Sequence, residues 1–254
     1  STTLGWSNVP LADLVGERVD LPVVLVHDIG AAAAAEATRM SGGATANALF
    51  VGLGTGIGGC PIIEGQLLRG AHQRAGEIGH IAVCGADTPC GCGRSGCLET
   101  VASGRAIASA YRACARDDGP MTALEVAQAA ERGDPVAAGV WTRACEALAD
   151  GLATYSTLLD PGLVVLGGGL SLAGDRLLRP VRSHLATALA LPGRPEVIAA
   201  RFGDRGALHG AAIAARRLVG NTADPNLPSG DLPVAASPCG ARPTPREPDG
   251  GCEA

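Results

Sequence analysis

Apolar residues along this chain occur either as short continuous runs or within longer segments that have helical character. The short runs, rich in Val, Ile and Leu, predict buried strands over residues 21–26, 49–53, 163–166 and 196–200. A further apolar stretch, residues 61–68, suits a hairpin that turns at Glu64 and Gly65. Strands separated by helices and by glycine turns indicate an α/β fold.

Helices are predicted between these strands from residue propensity and from boundary signals. Thr122 caps one helix, because Glu125 completes a capping box three residues later. Pro135 begins the longest helix, which ends at Leu159 before an Asp-Pro pair. The remaining helices are predicted at residues 31–40, 105–116, 174–191 and 207–219.

The composition supports a folded chain with one exception. It contains 37 glycines, 46% hydrophobic residues and only 2% aromatic residues, which indicates closely packed helices and many glycine turns. Residues 220–254 are rich in proline and have little apolar periodicity. Because such a segment buries too little surface to offset the entropy of ordering, we predict a disordered tail over 220–254.

The segment over residues 76–99 carries a candidate metal site. A histidine and three cysteines, separated by glycines that allow tight turns, offer the Cys₃His set that structural Zn²⁺ prefers. We therefore predict one structural Zn²⁺ on His80, Cys90, Cys92 and Cys97. Two alternatives stay open: ordinary buried or disulfide-bonded cysteines, although Cys-x-Cys suits a disulfide poorly, and a set in which Cys84 replaces Cys90.

Charge and cysteine content limit the partners and the compartment. The net charge of −5 argues against a nucleic-acid-binding surface in this chain. No apolar run is long enough to span a membrane, so we predict no membrane partner. Nine cysteines, with a metal cluster among them, predict a cytoplasmic location, where thiols stay reduced.

Three further positions could carry chemistry. Asp28 follows the predicted strand over residues 21–26, where a carboxylate acts as a general base or simply caps a helix. The glycine run over residues 54–59 follows another strand and either approaches a phosphate through its backbone or forms a plain turn. The same two alternatives apply to residues 167–169, after the strand at 163–166.

Two motifs resemble the ROK family of bacterial sugar kinases and sugar-responsive repressors. One is Leu-Gly-Trp-x-Asn-Val-Pro-Leu over residues 4–11, and the other is Gly-His followed by Cys-x-Cys-Gly-x-x-Gly-Cys-x-Glu over residues 79–99. The resemblance covers residues 4–218 and implies an actin-like, ribonuclease-H-like two-lobed sugar kinase fold whose first lobe is incomplete. By this resemblance the chain looks truncated by on the order of a hundred residues.

The implied domains are a remnant of the N-terminal lobe over residues 1–45, a C-terminal lobe over 46–219 that contains the zinc segment 76–99, and the tail over 220–254. The resemblance also assigns site residues. Asp28 is the implied catalytic base. The implied sugar-binding residues are His27, Glu77, His80 and Glu99. The implied nucleotide-binding residues are Gly54, Thr55, Gly56, Gly58, Gly167, Gly168 and Gly169.

The resemblance thus implies a glucokinase-like enzyme that phosphorylates a hexose, either glucose or an N-acetylated hexosamine. ATP with Mg²⁺ is the implied co-substrate, a homodimer is expected, and the truncation should impair activity. His27 departs from the pattern, because ROK kinases have Asn at this position, whereas His before Asp resembles the repressor branch. The alternative is therefore the sugar-sensing module of a ROK transcriptional repressor that lacks its DNA-binding part.

Overall fold

The computed structural model describes Trp6 and residues 9–38, 46–83, 85–115, 121–190 and 192–220. Its central element is a five-stranded sheet in the order β3-β2-β1-β4-β5. β1 pairs antiparallel with β2 and parallel with β4, and β4 pairs parallel with β5. The strands are Ala48–Leu53 (β1), Ile57–Ile63 (β2), Gln66–Leu67 (β3), Leu163–Gly167 (β4) and Glu196–Ala199 (β5).

Eight α-helices are present in the described ranges, and they cover both faces of the sheet. They are Leu11–Val19 (α1), Asp28–Ala37 (α2), Glu99–Ala102 (α3), Gly104–Ala115 (α4), Ala123–Glu131 (α5), Pro135–Leu159 (α6), Asp175–Ala188 (α7) and Gly206–Leu218 (α8). This alternation confirms the predicted α/β class. No helix in these ranges is both long and apolar enough to cross a membrane.

The pleat of the strands divides the core into two layers. Alternate side chains of a strand point to opposite faces. Leu49 and Val51 of β1 therefore pack in the larger core with α3 to α7. Phe50, which lies between them, packs on the other face with the alanines of α2. Helix α8 packs on α2 outside this second layer.

Capping and helix-ending residues occur at the predicted ends of two helices, α5 and α6. Thr122 and Glu125 form the predicted capping box at the start of α5. The Asp134 side chain caps α6 and accepts from the Val136 N–H at 2.9 Å, and Pro135 is the first helical residue. At its other end α6 stops where Asp160 adopts a left-handed conformation with φ of 44°. These ends depend on neighbouring residues alone, which is why they could be predicted.

The strand predicted over residues 21–26 is wrong. No strand pairs with this segment in the described part of the chain. Leu21 and Leu25 are 65% and 36% exposed, and Pro22 has no N–H to donate to a ladder. Asp28 accordingly begins helix α2 after a coil segment rather than after a strand. An apolar run forms a strand only where a neighbour satisfies its backbone groups.

Other differences lie at element ends or outside the described residues. Helix α1 was not predicted, and none of its residues is buried. The helix predicted at 31–40 begins earlier and is described as α2. Apart from residue 220, the predicted disordered tail lies outside the described residues. The division of the chain at residue 45 stays a prediction.

Helices α2 and α8 approach each other unusually closely. A Cβ at Gly210 would overlap the Ala31 backbone, whereas a Cβ at Gly139, in α6, would meet nothing within 4 Å. We expect Gly210→Ala to lower the free energy of unfolding by about 1–3 kcal/mol, because the two helices must separate. The matched variant Gly139→Ala should raise it by about 0.5–1 kcal/mol, because alanine is the better helix former. Urea unfolding of both variants measures these changes, and equal effects would contradict the close approach.

Candidate functional site

A cavity of about 520 Å³ opens at the carboxyl ends of the parallel strands. The glycine turn after β1, Gly168 after β4, and Gly203 after β5 all line it. Helix α2 lines it with its first turn, and residues of the metal-cluster segment line it on another side. Open α/β sheets bind their ligands at this edge, because the strand ends and the loops that follow them converge there.

The cavity gathers most of the site residues that the sequence predicts. Those that line it are His27, Asp28, Gly54, Thr55, Gly56, Gly58, Glu77, His80, Glu99 and Gly168. Gly167 and Gly169 do not. Gly167 ends β4, where a Cβ would overlap the Phe50 ring, and Gly169 begins a 3₁₀ helix. Their role in nucleotide binding stays a prediction, and Gly168 is the member of this triplet that forms the cavity wall.

Asp28 is the first residue of α2, and its side chain is 77% exposed. Its Oδ1 accepts a hydrogen bond from the Ile29 N–H at 2.8 Å and lies 3.6 Å from His27 Nδ1. The amino end of α2 places partial positive charge beside this carboxylate. Asp28 is thus held at one oxygen, and its exposure leaves it accessible from the cavity.

The glycine turn after β1 is fixed by backbone bonds to its neighbours. Gly54 donates its N–H to Gly56 O at 3.0 Å, and its carbonyl accepts from the Gly104 N–H at 2.8 Å. A Cβ at Gly56 would overlap the Glu99 carboxylate, so a larger residue here would displace that side chain. The turn is therefore anchored to the start of α4 and packed against an acidic side chain.

Glu99 joins the glycine turn to the metal-cluster segment. Its Oε2 accepts from the Ile57 N–H at 2.9 Å, while its Oε1 lies 3.9 Å from Arg105 Nη2, beyond hydrogen-bonding distance. The Glu99 side chain is 20% exposed. One carboxylate oxygen thus fixes the side chain, and the other remains available to a ligand hydroxyl.

His80 has two differently placed ring nitrogens. Nδ1 lies 3.6 Å from Cys90 Sγ, and Nε2 lies 3.9 Å from Glu77 Oε2 at the cavity wall. The Glu77 side chain is about half exposed. His80 can therefore offer one nitrogen to a metal ion and the other to a ligand in the cavity.

The four predicted metal ligands converge. The ligand atoms of His80, Cys90, Cys92 and Cys97 all lie within 4.8 Å of one another. The loop turns back on itself because Cys90 donates its N–H to Arg94 O at 2.7 Å and because glycines 93 and 96 adopt positive φ angles. Three thiols and one imidazole at this spacing fit a tetrahedral Zn²⁺. Cys84, the alternative ligand, lies outside the described residues.

The thiols of this cluster differ in their ionisation. A hydrogen bond from the Arg94 backbone N–H lowers the pKa of Cys92 below its usual range. Burial raises the pKa of Cys97 to about 12, and hydrogen bonds with the neighbouring thiols add to this. Near neutral pH, Cys97 thus needs a cation beside it to ionise, and a bound dication reverses the effect of burial on a coordinating thiol.

Several residues of the cavity wall were missed from the sequence. They are Gly203, Asp204, Gly206 and Ala207, which form the turn after β5 and the start of α8. A signal was present, because Gly203 and Asp204 follow the strand predicted over residues 196–200. The short apolar run of β5 and the absence of a longer glycine repeat made this segment easy to overlook.

Comparison with known protein families matches the ROK family over residues 1–217. The chain belongs to the ROK family. A glucokinase from Halalkalibacterium halodurans is 38% identical over 76% of this ROK chain and 62% of its own length. The ROK chain therefore spans less than two thirds of that relative.

Solved structures agree with this membership. The structure of a ROK glucokinase from Streptomyces griseus, in complex with glucose and AMPPNP, matches with a TM-score of 0.78 at 34% identity, over 85% of this chain and 75% of that one. A ROK transcriptional regulator, a homologue of the E. coli MLC protein, matches with a TM-score of 0.71 at 27% identity, over 84% and 56% of the two chains. The chain has the actin-like, ribonuclease-H-like fold of the ROK glucokinases. Because a kinase and a regulator share this fold, the fold alone does not decide between them.

Proposed function

We propose that this ROK chain carries the hexose site and the catalytic base of an ATP-dependent hexose kinase. The observation that carries the proposal is the cavity itself. It brings Asp28, at the amino end of α2, together with Glu77, His80 and Glu99 on one side and the glycine turn after β1 on another. This set combines a base, several hydroxyl-binding groups and a phosphate-binding backbone.

In the proposed reaction, Asp28 accepts the proton of a hexose hydroxyl as that oxygen attacks the γ-phosphorus of ATP. The bond from the γ-phosphorus to its bridging oxygen breaks, and ADP leaves. Phosphoryl transfer needs positioning and charge stabilisation more than covalent chemistry, so a carboxylate held at one oxygen suits the role. The bond from Ile29 to Oδ1 leaves Oδ2 as the proposed proton acceptor.

The proposed sugar contacts are Glu77, His80, Glu99 and His27. A carboxylate accepts hydrogen bonds from neighbouring hydroxyls, which suits a hexose. Glu99 is the strongest candidate, because it lines the cavity and because the Ile57 N–H holds its Oε2 while its Oε1 accepts no hydrogen bond at that distance from Arg105. The substrate is glucose or an N-acetylated hexosamine.

The proposed nucleotide contacts are the glycine turn after β1, which Glu99 contacts, and Gly168. Residues 54–58 bring backbone groups and the Thr55 hydroxyl to the cavity, and Gly168 lies at the end of β4. Glycines allow phosphate oxygens to approach the backbone closely. Mg²⁺ would accompany the phosphates of ATP, as it does in phosphoryl transfer generally.

We further propose that His80, Cys90, Cys92 and Cys97 hold a structural Zn²⁺. Bound there, the ion would fix His80 itself. It would also fix Cys97, which lies two residues before Glu99. The residues fit this group by ligand type, number and mutual distance. Such a cluster requires reduced thiols, which supports the predicted cytoplasmic location.

One observation favours a regulator instead. His27, rather than an amide residue, stands beside Asp28 at the cavity, 69% exposed and 3.6 Å from the Asp28 carboxylate. A larger, titratable ring here is compatible with hexose binding without turnover. The sugar-sensing module of a repressor is therefore the second candidate. Phosphorylation assays on a hexose panel separate the two, because a regulator binds a hexose and leaves ATP unchanged.

We expect a saturating hexose to protect the chain against unfolding. At a concentration about 100-fold above Kd, the melting temperature should rise by roughly 5–10 °C, because the ligand binds the folded state alone. Glu99→Ala should abolish this rise, whereas Glu17→Ala, an exposed acid on α1, should retain it. Glu99→Gln keeps an acceptor for the Ile57 N–H and separates the loss of the carboxylate from a loosened turn. If glucose, mannose and N-acetylated hexosamines all leave the melting curve unchanged, the proposed sugar site is wrong.

A further inference from the structure

Glu36 is a buried acid in a helix that is otherwise buried through alanines. Glu36 is 6% exposed, and the other buried residues of α2 are six alanines. A carboxylate that is withdrawn from water costs free energy unless it is hydrogen-bonded. Glu36 lies in the last turn of α2, it does not line the cavity, and the proposed chemistry gives it no part.

The hydrogen-bond partner of Glu36 explains its burial. Its Oε1 accepts from the Phe202 N–H at 2.9 Å, across 166 residues of sequence. Phe202 directly precedes Gly203, which lines the cavity. The Gly203 carbonyl accepts in turn from the Gly168 N–H at 3.2 Å. A continuous set of bonds thus joins α2 to both nucleotide-side walls of the cavity, the one after β4 and the one after β5.

The surroundings of α2 explain why this bond matters. Helix α2 meets α8 through alanines and glycines, with Gly206 against Ala32 and Gly210 against Ala31. Alanines and glycines carry no polar side-chain atoms, so these contacts set the distance between the two helices without a directional bond. A directional hydrogen bond to a carboxylate is the stronger constraint on the axial position of α2.

We propose that Glu36 is a positioning residue that fixes the register of α2, and with it Asp28, against the nucleotide-side wall at Gly168 and Gly203. The inference deepens the proposed function and rests on it. Asp28 lies at the other end of the same helix, roughly 12 Å away at a rise of about 1.5 Å per residue. When α2 shifts along its axis as a rigid unit, the Asp28 carboxylate moves by the same distance as Glu36. A misplacement of about 1 Å costs on the order of 10²-fold in rate.

The test compares three variants of the full-length protein. Glu36→Met preserves an unbranched side chain but offers no oxygen acceptor, so the Phe202 N–H loses its partner. Glu36→Gln retains an oxygen that can accept the same bond. Trp141→Phe is the matched control, because it removes another long-range bond to the backbone, from Trp141 Nε1 to Arg176 O at 3.0 Å, away from the cavity.

Steady-state kinetics with hexose and ATP give the first readout. Glu36→Met should lower kcat by about 10- to 100-fold while the KM for hexose stays within about threefold, because three of the four proposed sugar contacts, Glu77, His80 and Glu99, lie outside α2. Glu36→Gln should remain within about threefold of wild type, and so should Trp141→Phe. Turnover of Glu36→Met at the wild-type rate would overturn the proposal. Equal loss in Glu36→Gln and Glu36→Met would also overturn it, because the charge would then matter rather than the position.

Amide hydrogen exchange gives a readout that does not depend on turnover. In Glu36→Met, the amides of Phe202 and Gly168 should exchange at least about tenfold faster, while those of the metal-cluster segment stay unchanged. Trp141→Phe should leave both amides protected. Unchanged exchange at Gly168 in Glu36→Met would overturn the link between α2 and the cavity wall. If the wild-type protein phosphorylates no hexose, the proposed function fails, while faster exchange at Gly168 still supports the positioning of α2.

Discussion

Asp28→Asn in the full-length protein should lower kcat for hexose phosphorylation by about 10²- to 10⁴-fold, the range that a positioned general base contributes. An amide cannot accept the hydroxyl proton. Its oxygen can still accept the Ile29 N–H that now bonds Oδ1 at 2.8 Å, so the start of α2 should keep its geometry. A coupled assay of ADP release measures the change. Hexose binding, measured by thermal protection, should survive.

The control for Asp28→Asn is Asp13→Asn, which removes a charge from the first turn of another helix. Asp13 lies outside the cavity wall, so this variant should retain wild-type turnover. Turnover of Asp28→Asn within a fewfold of wild type would show that another group accepts the proton. If the wild-type protein binds hexose but never consumes ATP, the repressor module becomes the better-supported function. His27 is the residue that favours that function.

Cys97→Ser should release the metal and strongly destabilise the fold. Metal binding to such a set is folding free energy, and Cys97 is fully buried next to Leu98, which packs in the larger core. We expect one zinc per chain in the wild type and none in the variant. The melting temperature should fall by roughly 10–20 °C, and a strong chelator should have the same effect on the wild type. Elemental analysis and calorimetry measure both quantities.

Two further cysteine variants make the zinc test specific. Cys114→Ser makes the same substitution at an exposed thiol outside the cluster and should change neither zinc content nor stability. Cys84→Ser tests the alternative ligand and should leave zinc bound. Wild-type protein that is purified without added metal and contains no zinc would contradict the proposed site. If Cys84→Ser loses its zinc, Cys84 rather than Cys90 belongs to the ligand set.

Short-range signals carried most of the correct predictions about the fold. The capping box at Thr122, the start of α6 at Pro135 and the hairpin turn at Glu64 depend on residues within a few positions of each other. The convergence of His80, Cys90, Cys92 and Cys97 is of the same kind, since these residues lie in one segment whose glycines permit the turns. Features of this kind depend on the spacing of nearby residues, so they could be predicted without a structure.

The sequence by itself therefore determined the α/β class, most helix and strand positions and the family motifs. It also identified the four residues that converge near the cavity, whose binding of a metal stays a prediction. Only the tertiary structure decided the rest. It showed that residues 21–26 form no strand, that Gly168 rather than its two neighbours lines the cavity, and that Glu36 meets Phe202. Each of these depends on a partner far away in the chain: a strand needs a neighbour, a cavity wall needs an opposite wall, and a buried acid needs a donor. Sequence spacing carries no information about which distant backbone group will supply that partner.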